Sequence, residues 1–101
     1  MADKGWAELL RDQAPDLDQL NRADLEFLGS SSALDSRVKF LVAMVLDAAA
    51  NKPVGAKNYG EKAVQAGATQ AQVLDALRIL RMFAGRPALV TGCEALRQFD
   101  R

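Results

Sequence analysis

The segment Val38–Ala49 restricts the fold of this chain more than any other stretch. Its apolar residues Val38, Leu41, Val42, Val45, Leu46 and Ala49 recur three and four positions apart, the period that puts side chains on one side of an α-helix. Phe40 and Met44 widen that stripe, so the helix should be buried on more than one side. Asp35 or Ser36 can cap its start. Pro53 disfavours helical backbone at Lys52, so the helix should stop near Asn51.

The remaining sequence reads as helix as well, with Ala, Leu, Gln, Arg and Asp recurring and β-branched residues sparse. Trp6, Leu9 and Leu10 form a short apolar face that Pro15 ends. Pro15 suits the start of a second helix, with Leu17, Leu20, Leu25 and Leu28 as its apolar spacing, and Gly29–Ser32 closes it. After the long helix, a fourth is expected from about Gly55 to Ala66, closed by Gly67 in a left-handed cap. Thr69 and Gln72 form a capping box for a fifth, whose stripe is Val73, Leu77, Leu80 and Phe83 and which stops at Gly85. Pro87 opens a sixth, running to about Phe99. The expectation is an all-α single domain of about six helices, with an acidic N-terminal helical segment (1–33) and a helical core (34–101).

Composition narrows the function classes. Half of the 101 residues are apolar and 26% are charged, a balance that excludes general disorder. No apolar run is long enough for a membrane span, and the N-terminal residues lack the basic start and apolar block of a secretory signal. The single cysteine, Cys93, cannot form an internal disulfide, and a cytoplasmic location is expected. Net charge is zero but unevenly spread: residues 1–35 hold eight acids and three bases, residues 36–101 five acids and ten bases. The bases are dispersed and carry no nucleic-acid motif, so no nucleic-acid partner is expected. Instead the acidic segment should lie over the basic remainder, in its own or a neighbouring subunit. No histidine and no carboxylate cluster leave metal binding unexpected, and no cofactor is implied.

From Leu34 to Leu96 the sequence "LDSRVKFLVAMVLDAAA", a polar break, then "AVQAGATQAQVLDALRILRMFAGRPAL" resembles the carboxymuconolactone decarboxylase and alkyl hydroperoxidase D-like superfamily. The Ala63–Thr69 and Ala84–Ala88 segments are the most specific parts. The resemblance implies an alkyl hydroperoxidase D-like helical fold and homo-oligomers, often trimers or hexamers built as trimers of dimers. Redox members carry C-x-x-C-x-x-x-H after the long helix and a glutamate within it. A thiolate there attacks peroxide, a second cysteine resolves the sulfenate, and the histidine and glutamate move protons. Aligned on Gly67, the first cysteine falls on Lys52, the second on Gly55, the histidine on Tyr59 and the glutamate on Phe40. All four are replaced, which leaves no redox pair, and thiol peroxidase activity is not expected.

Two functions stay open. One is a catalytically degenerate, oligomeric protein that assembles or binds a small apolar or aromatic molecule in a pocket between helices three and four, with Phe40, Lys52, Gly55 and Tyr59 as the ligand-binding candidates. The other is a non-redox decarboxylase or lactone-processing enzyme for a small carboxylated substrate, with Lys52 and Tyr59 as catalytic candidates and Lys57, Arg78 or Arg81 nearby. A lysine can hold a carboxylate or act as base or Schiff-base nucleophile, and a tyrosine can donate to a developing enolate. Against this, Lys52 and Lys57 read equally as solvated helix-end charges, and Tyr59 as a buried ring with a tethered hydroxyl. Cys93 is expected to be a buried, inert thiol. Asp47 reads as a buried acid paired with a base or placed at a subunit contact. Arg78, Arg81 and Arg86 read as a solvated face or as partners of the acidic segment.

Overall fold

The computed structural model describes residues 3–100. Five α-helices and one 3-10 segment account for most of them: α1 (Trp6–Gln13), α2 (Pro15–Gly29), α3 (Ser36–Ala49), α4 (Pro53–Gln65), α5 (Gln70–Gly92) and the 3-10 segment Cys93–Phe99. The start and stop chemistry follows the side chains. Asp35 caps α3 by accepting from the Val38 N–H at 3.0 Å. Pro53 occupies the first turn of α4, so that helix begins two residues before the Gly55 expected from the sequence. The Thr69–Gln72 box forms in both directions, at 3.0 and 3.1 Å.

The expected fifth and sixth helices both lie within α5, parted at Gly85, where φ is +85° and ψ is −178° and the backbone is not helical. Glycine alone adopts that conformation readily, so the break lies where the sequence placed it. Beyond Gly92 the coil tightens to 3-10, and Ala95 comes to lie fully buried against α4. There Gly60 gives the room, because a Cβ on it would come within 2.6 Å of the Ala95 Cβ.

The core lies among α3, α4, α5 and the 3-10 segment, around Met44, Ala48, Ala56, Val73, Leu77, Leu80, Ala88 and Ala95. A second cluster, Phe40, Ala63 and Ala68, closes the α3–α4 side against Leu28 of α2. By contrast, α1 and α2 bury no residue. α1 packs on α2, and α2 reaches α3 mainly through its C-terminal end. Lys39 makes that joint. Only 4% exposed, it donates from Nζ to the Phe27 and Ser30 carbonyls at 2.9 and 2.8 Å, and Nζ lies 3.6 Å from the centroid of the Phe27 ring. A cation is favoured there, on the last carbonyls of a helix. The hairpin therefore does not cover the basic part of its own chain, and no ion pair among the described residues joins α1 or α2 to the helices that follow.

Candidate functional site

The polar break between α3 and α4 is built as a pinned turn. Asn51 takes the left-handed conformation (φ +60°), which asparagine tolerates better than most residues. The Lys52 N–H donates to the Asp47 carbonyl at 2.8 Å. From α5, buried Thr91 donates its hydroxyl to Asn51 Oδ1 at 2.9 Å, which ties the turn to the helix across the core. Asp47 is half-buried, and its carboxylate sits directly over Gly55. A Cβ on Gly55 would fall 2.0 Å from Asp47 Oδ2. An acid at the first turn of α4 is favoured by the partial positive charge of a helix N-terminus. Asp47 therefore meets a helix end, and the expected pairing with a base does not form among the described residues.

The four candidate residues do not converge on one space. Lys52 is exposed at the N-cap of α4, and Gly55 lies under Asp47. Phe40 is buried at 9% exposure, and its ring stacks on Tyr59 with centroids 6.3 Å apart and planes 21° apart. That offset geometry is favourable for two aromatic rings. Tyr59 also reaches both core clusters, so the pair closes the interior between α3 and α4. Lys57 is exposed and faces Glu61 at 3.8 Å. Arg78 pairs with Asp75 on its own helix at 2.7 Å, while Arg81 and Arg86 are exposed.

None of the principal clefts is lined by Phe40, Lys52, Gly55 or Tyr59. The most voluminous of them, about 660 Å³, lies between the start of α4 and the 3-10 segment, with Pro53, Thr91, Cys93, Glu94 and Arg97 on its walls. Here Cys93 is exposed, which corrects the expectation of a buried thiol. It opens the 3-10 segment, where Thr91, Gly92 and Ala95 take the inward positions and leave it facing out. Access alone does not activate a thiol; a positive neighbourhood is also needed. The guanidinium on the same cleft, Arg97, is held by Glu94. Among the described residues, no group of histidine, cysteine and acidic side chains is placed to hold a metal ion, and no helix is long and apolar enough to cross a membrane.

Sequence reasoning missed Lys39, Asn51 and Thr91, whose polar atoms tie elements together. Only Asn51 gave a signal, as a left-handed-tolerant residue two positions before a proline.

The sequence pattern of the carboxymuconolactone decarboxylase family matches residues 15–98, a span that takes in α2 as well as the core. The fold is similar to the crystal structure of an apo carboxymuconolactone decarboxylase family protein from Legionella pneumophila. The TM-score is 0.81 at 27% identity, over 92% of this chain and 83% of that one. Comparison with curated proteins gave no match.

Proposed function

The chain belongs to the carboxymuconolactone decarboxylase family, and on that premise we propose that it is a catalytically degenerate member, whose role is self-assembly, as a trimer or hexamer, together with binding of a small apolar or aromatic molecule. One observation carries this reading. The positions where the resemblance expects a proton-moving glutamate and histidine hold Phe40 and Tyr59, stacked on each other in the interior. An acid and a base replaced by two rings that pack together is a coherent exchange of chemistry for packing, in which each ring supplies the other's apolar neighbour. Lys52 and Gly55 stand at the two positions where the resemblance expects thiols.

The exposed apolar side chains support assembly: Trp6, Leu20, Leu46, Val54, Met82 and Phe83 are each more than 60% exposed. Such surface on a chain of this size suits an interface better than solvent. The decarboxylase reading would need Lys52 or Tyr59 on a concave wall with convergent polar groups, and the exposed Lys52 and packed Tyr59 argue against it.

Peroxide consumption with a dithiol reductant tests the degenerate reading. The wild type should not exceed the uncatalysed rate. Robust turnover that survives Cys93→Ser would overturn the proposal. In parallel, a thermal-shift screen of small aromatic compounds should find ligands that raise the melting temperature through linkage.

A further inference from the structure

The acidic hairpin α1–α2 and the outer side of α5 complement each other, yet they do not meet within one chain. From Trp6 to Gly29 the hairpin holds six acids and two bases. It buries none of its residues, although Trp6, Leu9, Leu17, Leu20 and Leu25 give it ample apolar surface. Between Trp6, Leu9, Leu10 and Gln13, one flank of α1 even forms a concave apolar face of about 320 Å³. α5 presents the reciprocal surface. Ile79, Met82 and Phe83 are 57%, 71% and 85% exposed. On the adjoining flank a groove of about 140 Å³ has an apolar floor of Leu74, Leu77 and Leu89, with Arg78 and Arg81 on its walls.

We infer that the hairpin of one copy docks on the outer side of α5 in a second copy of this chain. The inference rests on the assembly reading above and names the surfaces that would carry it. An amphipathic helical arm laid on an apolar helix face is a common recognition mode. Here the signs also agree, because an acidic arm meets arginines, and opposite potentials set both register and rate of association. The same pairing of α5 with itself would bring Arg78 and Arg81 against their own copies. The shape of the chain agrees with a protruding arm: its radius of gyration is 14.7 Å, where a compact chain of this length has about 13 Å. Reciprocal exchange of two arms closes a two-fold dimer, and three such dimers make the hexamer among the two assemblies proposed above.

Charge inversion tests the pairing on the full chain. Asp24 and Glu26 on the arm, and Arg78 and Arg81 on α5, are all exposed, so their reversal leaves the fold intact, as circular dichroism can verify. The arm variant Asp24→Lys/Glu26→Lys and the face variant Arg78→Glu/Arg81→Glu should each weaken self-association roughly tenfold or more. Mixed in equal amounts, they should recover it, since both arms of the mixed pair then face opposite charge. Light scattering reads the mass in each case. If both variants keep the wild-type mass, or if both dissociate and mixing restores nothing, the arm–α5 contact is wrong while assembly itself stands. A wild type that stays monomeric overturns both.

Discussion

Lys39 and the Phe40–Tyr59 pair are the side chains whose placement the account depends on most at the residue scale. Lys39 holds two carbonyls at the end of α2 and lies over the Phe27 ring. Lys39→Met keeps the stem and removes the donors, and it should cost about 1–3 kcal/mol, the range for charge-assisted hydrogen bonds lost from a buried site. Urea denaturation would measure it. An unchanged midpoint would mean that water replaces the ammonium without loss. The aromatic pair predicts an asymmetry. Tyr59→Phe should change stability by less than about 0.5 kcal/mol, because the hydroxyl has no hydrogen-bond partner among the described residues. Phe40→Ala should cost about 3 kcal/mol or more, since it opens a void in a closed cluster. What was legible here differs by residue. The stripe marked Phe40 as part of a helix buried on more than one side but left it, like Tyr59, open between core and ligand contact. Lys39 was invisible, because its partners are carbonyls on another helix and no residue type in the sequence announces a carbonyl.

Helix ends, at the scale of elements, were written in the sequence, because capping is local chemistry. Asp35 at α3, proline in the first turns of α2 and α4, the Thr69–Gln72 box and the break at Gly85 all lie where their side chains or backbone freedom require. What could not be read was how the last segment winds. At Cys93–Phe99 the backbone is 3-10, and Ala95 packs against Gly60, 35 residues away in sequence, a contact that no local pattern announces. Cys93 is exposed there, against expectation. The cap at Asp35 yields a pH prediction. Its pKa is lowered below the ordinary carboxylate value, first by the Val38 N–H and then by Arg37, which outweigh the opposing effect of desolvation. A folded pKa below the unfolded one means stability that is fully present above the unfolded value and lost as pH falls through the folded value. Thermal unfolding below pH 4 should therefore show a fall in melting temperature that is reduced in Asp35→Asn. Identical slopes for the two proteins would remove the cap from the acid response.

For the whole molecule, charge asymmetry in the sequence pointed to an acidic segment lying over a basic remainder, in its own or a neighbouring subunit. The helices exclude the first option among the described residues: α1 packs on α2, and the ion pairs of the hairpin are internal to it or to the residues just before it. Under the proposed assembly, the segment lies on a neighbouring subunit instead. It also accounts for apolar side chains that a solitary chain would leave in water. Under the proposed reading, packing of Phe40 on Tyr59 in place of proton-moving groups leaves the scaffold to assembly and small-molecule binding. The most direct test of that claim is the mass of the wild-type protein by light scattering at micromolar concentration. The account predicts a multiple of the 10.9 kDa chain: a hexamer that dissociates as salt screens the charges if the arms exchange with α5, or a trimer if assembly uses another surface. A monomer of that mass across the concentration range would contradict it.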